Sequence, residues 1–98
     1  MTDYKETDIR LARYYKALSH PARIAILSHL NQVGRCIGKD LVELLPLSQA
    51  TVSQHLRELT KAGLVRTKNA PPSTIYMINK EKWDKARSMI TGLLNMKS

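Results

Sequence analysis

The stretch Leu47-Ser48-Gln49-Ala50-Thr51-Val52-Ser53-Gln54-His55-Leu56-Arg57-Glu58-Leu59-Thr60-Lys61-Ala62-Gly63-Leu64-Val65 reads as a short turn, a capped helix, a glycine stop and the start of a strand. At 100° per residue, Val52, Leu56 and Leu59 fall on one stripe and Ala50, Gln54, Arg57 and Lys61 on the opposite side. One face is therefore suited to a core and the other to a partner. Ser48 is placed to accept a hydrogen bond from an otherwise unpaired amide of the first turn, worth about 1 kcal/mol, and Gly63 can take the left-handed conformation that ends a helix.

Working outward toward the N-terminus, Leu44, Leu45 and Leu41 give a short helix from Gly38 or Lys39 to Leu45, ended by Pro46 because the residue before a proline disfavours helix. Gln32-Val33-Gly34-Arg35 reads as a loop. Before it, Pro21 opens a helix that runs to about Asn31, where the dense set Ile24, Ile26, Leu27 and Leu30 suggests burial on more than one side. Leu11, Ala12, Tyr15 and Leu18 recur at helical spacing from Asp8 to about Leu18. Toward the C-terminus, Leu64–Lys68 and Thr74–Ile78 are β-rich runs around a five-residue loop, Asn69-Ala70-Pro71-Pro72-Ser73. Asn79 caps a last helix to about Met96 with the stripe Trp83, Ala86, Ile90, Leu93 and Leu94.

The expected fold is mainly α with a small β-hairpin, in the order helix, helix, helix, helix, strand, strand, helix. That is the order of a winged helix-turn-helix, with the quoted stretch as recognition helix leading into the wing. Ninety-eight residues fit one domain, expected over 8–98, with 1–7 as a disordered tail. Sixteen Lys and Arg against eight Asp and Glu give a net charge of +8, so the surface attracts polyanions, of which nucleic acid is the commonest. The basic residues do not form the juxtamembrane runs that favour anionic lipid, and no segment approaches the ~20 apolar residues of a span, so no membrane partner is expected. The polar, mixed-charge N-terminus and the single cysteine point to the cytoplasm. With no glycine-rich phosphate loop, paired carboxylates or nucleophile with a matched base, the chain does not read as an enzyme.

The segments Ala17-Leu18-Ser19-His20-Pro21-Ala22-Arg23-Ile24-Ala25-Ile26-Leu27, Leu47 to Leu56, Ala62-Gly63-Leu64-Val65 and Thr74-Ile75-Tyr76 resemble, in that order, the ArsR-SmtB family of bacterial repressors, over roughly residues 8–95. The resemblance implies a homodimer whose terminal helices pair, an operator with two-fold symmetry and release of DNA when an inducer binds. It carries DNA contact onto Gln49, Thr51, Ser53, Gln54 and His55. The residues support this independently: Gln49 and Gln54 have amides able to pair bidentately with adenine, Thr51 and Ser53 can reach a base or phosphate, and Arg57 can reach guanine or the backbone, with Ser48 and Ala50 on the same turns. His55 lies at the flank of the apolar stripe, which leaves open a phosphate contact or a ring wedged against the core.

Arg66, Lys68, Asn69 and Ser73 of the hairpin can grip the backbone beside the groove, or the hairpin can merely close the core. Family wings carry a glycine-containing turn; here Ala70-Pro71-Pro72 stands in its place. Leu11, Tyr15, Leu18, Trp83, Ile90 and Leu94 are the expected dimer seam, because stripes of that size are not exhausted by so small a core. Two copies would set recognition helices about 34 Å apart, one turn of duplex.

Family sensors of metals and arsenicals use cysteine pairs in the third helix or Asp and His ligands in the last. Here Gly38 occupies the second cysteine position, residues 80–98 hold no histidine, and His20 and His29 are not spaced i, i+4, so neither a metal nor another cofactor is expected. Cys36, with Arg35 and Lys39 beside it and a helix starting just beyond, reads either as a thiolate-type redox sensor or as an inert filler. The inducer is not legible. The rival to a DNA-binding repressor is a winged-helix module that docks a protein, which would show exposed aromatic or aliphatic anchors on the outer face of residues 48–61.

Overall fold

The computed structural model describes residues 3–97, in the order α1 (Glu6–Leu18), α2 (Pro21–Val33), β1 (Arg35–Ile37), α3 (Gly38–Leu44), α4 (Gln49–Lys61), β2 (Val65–Ala70), β3 (Ser73–Ile78) and α5 (Lys80–Leu94). The helix boundaries carry their chemistry in the sequence. Glu6 and Asp8 place negative charge at the start of α1, and Glu6 reaches Arg10 one turn on at 3.3 Å. Glu6 and Thr7 are therefore helical rather than part of a tail; of the expected tail, residues 1 and 2 lie outside the described residues. His20 caps α2 through Nδ1, which accepts from the Ala22 amide at 3.0 Å, and Pro21 follows in the first turn. Ser48 Oγ accepts from the Thr51 amide at 3.2 Å, and Asn79 Oδ1 from the Lys82 amide at 3.2 Å. Gly63, at φ +83°, ends α4 and turns the chain so that the Leu64 amide donates back to the Leu59 carbonyl at 3.1 Å.

The sheet has three antiparallel strands in the order β1-β3-β2. β1 had no signature: Arg35 was expected in a loop, and three residues are too few to show an alternation. The strand exists because its backbone groups pair with β3, Arg35 opposite Met77, Cys36 opposite Tyr76 and Ile37 opposite Ile75. The hairpin is tighter than expected, since pairing continues to Ala70 opposite Ser73 and only Pro71-Pro72 remain as its turn. Proline has no amide hydrogen to leave unpaired there.

Ile26, Leu30, Leu41, Val52, Leu59, Leu64 and Val65 form the fully buried centre, drawn from α2, α3, α4 and the start of the hairpin. Val52, Leu56 and Leu59 are the inward stripe of α4, as their spacing requires. Other stripes are rotated from expectation. In α1 the buried residues are Tyr14 and Ala17, while Leu11 and Tyr15 are half-buried; in α2 Ile24 is 46% exposed; in α3 Leu41 is buried and Leu44 is exposed. α5 buries Ala86, packs Trp83 and Met89 against the core and leaves Leu93 and Leu94 exposed before ending at Leu94, short of Met96. No helix among the described residues is long and apolar enough to cross a membrane.

Candidate nucleic-acid interface

The short α3 and the cap at Ser48 set α4 on the surface with its first three turns open. Gln49, Ala50, Ser53, Gln54 and Arg57 are exposed along one side. Ser48 is already engaged: besides capping the helix, its hydroxyl lies 2.9 Å from that of Thr51, which is itself half-buried. Of the polar residues in the turn, these two are thus committed to holding the helix end, and Gln49, Ser53, Gln54 and Arg57 have free donors and acceptors for base edges.

Beside this ridge runs a groove in which Gln49 and Ser53 face Lys39 of α3 and Pro72, Ser73 and Thr74 of the hairpin tip. Further along, Ser53 and Arg57 face Thr67 and Tyr76 of the sheet, with Thr60 and Lys61 of the same helix. Lys39 is a cation that sequence reasoning did not assign to the interface, having weighed it only as a neighbour of Cys36. Its position at the start of the first helix of the helix-turn-helix was the available signal.

Alternation along the strands divides the hairpin residues. Val65, Thr67 and Asn69 share a face with Ile78, Tyr76 and Thr74, and that face covers the core through Val65 and Tyr76. Arg66 and Lys68 share the outer face with Met77 and Ile75, continued on β1 by Arg35 and Ile37. Arg66, Lys68 and Asn69 are exposed and Ser73 is half-buried. The hairpin therefore does not bring Arg66 and Lys68 into the α4 groove but holds them on the far side of the sheet.

His55 does not face outward with its neighbours. It is 7% exposed, its Nδ1 accepts from Arg23 Nε at 3.2 Å, and its ring lies 4.3 Å from that of His20 at 46°. The expected phosphate contact is replaced by the core-wedged alternative, because its place on the helix turns the ring toward the start of α2. Burial foremost, then the neighbouring His20 and Arg23, hold its pKa below the ordinary 6.5.

Cys36 is likewise turned inward. It sits in β1 with the thiol buried, and burial, followed by the Asp40 carboxylate, pushes its pKa up from 9.0. This reverses the thiolate reading, since strand alternation sends Arg35 to the opposite face and the nearby charge is negative. Among the described residues no three His, Cys, Asp or Glu side chains converge as a metal site would require.

The terminal helices lie against each other. Leu11, Tyr15, Leu18, Trp83 and Ile90 are half-buried and Leu94 exposed, and Leu18, Trp83, Ala86 and Ile90 line an apolar cleft between them with Leu64 beneath.

Residues 20–67 match the family model described as bacterial regulatory protein, arsR family. An uncharacterized HTH-type transcriptional regulator of Mycobacterium tuberculosis is 37% identical over 67 residues, 68% of this chain, which spans only 59% of that relative's length. The arsenical resistance operon repressor of Staphylococcus xylosus is 36% identical over 81 residues, covering 83% of this chain and 73% of that protein. Among solved structures, an ArsR-like transcriptional regulator from Rhodococcus sp. RHA1 superposes with a TM-score of 0.78 at 25% identity, over 91% of this chain and 83% of that one. The winged helix-turn-helix architecture is common to both.

Proposed function

The chain belongs to the arsR family of bacterial regulatory proteins, a family of transcriptional regulators rather than enzymes, and from that premise we propose that it is a homodimeric, sequence-specific repressor of a near-palindromic DNA site. The observation that carries the reading is the exposed side of α4, where Gln49, Ser53, Gln54 and Arg57 stand free beside a groove closed by Lys39. These are the groups that read base edges in the major groove, and they carry no aromatic or aliphatic anchor of the kind that docks a protein. Lys61 at the end of α4 and Arg66 and Lys68 on the outer face of the hairpin would hold the phosphates beside the groove.

In this reading Leu11, Tyr15, Leu18, Trp83, Ile90 and Leu94 of α1 and α5 meet their counterparts in a second copy, in the cytoplasm. An inducer releases the DNA. Paired-thiolate capture of an arsenical does not fit this chain, which has one cysteine, buried. Selection of bound fragments from a pool of random duplexes tests the proposal: the expected product is an enriched motif with two inverted half-sites one helical turn apart. Recovery without enrichment would instead favour the protein-docking module.

A further inference from the structure

The cluster at the start of α2 joins three elements. Arg23 donates from Nε to His55 Nδ1 at 3.2 Å and from Nη1 to the Lys16 carbonyl in the last turn of α1 at 2.8 Å. The His20 ring packs on that of His55 while its own Nδ1 caps α2. One guanidinium thus ties the end of α1 to the middle of α4, directly beside Gln54 and two residues before Arg57.

We propose that Arg23 and His55 are positioning residues for DNA binding, a latch that fixes the angle of α4 while the His55 ring is neutral and releases it in acid; the inference rests on the DNA-binding reading above. Arg has donors and no acceptor, so the bond requires an unprotonated Nδ1 with the ring proton on Nε2. A protonated ring donates from both nitrogens, and the Arg23 bond is replaced by cation against cation. The charged or titratable groups that shift His55 are His20, the cap of α2, and Arg23 in its first turn, and both disfavour the protonated ring. The sign follows: with the ring's pKa held below the ordinary 6.5, the latch is intact above that value and is lost as pH falls through the lowered one. Non-specific attraction to phosphate runs the other way, since each added proton strengthens it.

The test measures affinity of the full chain for its selected duplex and for a random duplex of equal length, between about pH 7.5 and pH 5.0, at constant ionic strength. The wild-type ratio of specific to random binding is expected to fall several-fold in acid. His55→Asn, which offers an amide oxygen near the position of Nδ1 but does not titrate, should give a flat ratio, whereas His29→Gln should keep the fall. Arg23→Lys retains the charge but not the forked donor and should lower the ratio at neutral pH by about tenfold, the worth of a hydrogen bond to a charged group. Should that variant not fold, the wild-type and His55→Asn profiles decide. A wild-type ratio that holds or rises in acid, or an acid loss in His55→Asn equal to the wild type, overturns the latch alone. Absence of any selective duplex at neutral pH overturns the DNA-binding reading, and the latch with it.

Discussion

Ser48 shows how closely binding and folding are joined in this turn. Its hydroxyl satisfies the Thr51 amide and meets the Thr51 hydroxyl, so its first effect is on the helix that presents Gln49 and Gln54. Ser48→Ala is expected to lower stability by about 1 kcal/mol, read as a shift of the urea midpoint without change of slope. DNA affinity should fall only as far as the helix end frays. His55 is the instructive contrast. A helical wheel places it at the edge of a stripe, and its inward side is settled by packing against the start of α2, where it accepts from Arg23, thirty-two positions away in sequence.

At the scale of elements, the wing is the feature whose residues the structure sorts into two faces. The strands pair to the tip, so the hairpin is a firm ribbon that lines the α4 groove with Pro72, Ser73 and Thr74 and carries Arg66 and Lys68 on its outer face. Contacts from such a strip position the protein without reading sequence. Lys68→Ala should therefore weaken binding to selected and random duplexes alike and reduce the slope of log K against log salt by about one unit. Loss confined to the selected duplex would place Lys68 in base readout instead. The short strand β1 matters to the same ribbon, because it pairs with the opposite edge of β3, joins the wing to the body and carries Cys36 into the core.

For the whole molecule, the apolar surface left on α1 and α5 sets the expectation of assembly. Leu94 is 73% exposed and Leu93 40%, next to the half-buried Trp83–Ile90 cleft. An apolar strip of this kind on a small, highly charged chain is stabilised by covering it with its equal. Sedimentation of the native chain should show a dimer. The double substitution Leu93→Asp and Leu94→Asp should give folded monomers that lose preference for an inverted repeat while keeping weak, salt-sensitive DNA binding. A variant that remains dimeric would move the seam elsewhere.

The local order of the chain is legible in its sequence. Ser48, Asn79 and Gly63 mark helix ends through bonds to residues three positions away, Pro21 marks one through its preset φ, and the Val52-Leu56-Leu59 stripe follows from 3.6 residues per turn. The net charge of +8 and the polar side of α4 likewise need only the sequence. The tertiary structure alone decided what depends on distant partners: β1, whose hydrogen bonds are to β3; Tyr14 inside and Ile24 outside, set by which face each helix presents; and the inward turn of the Cys36 thiol and the His55 ring. Periodicity fixes which residues share a face of one element, whereas the choice of the face that is covered, and of what covers it, belongs to the packing of all the elements together.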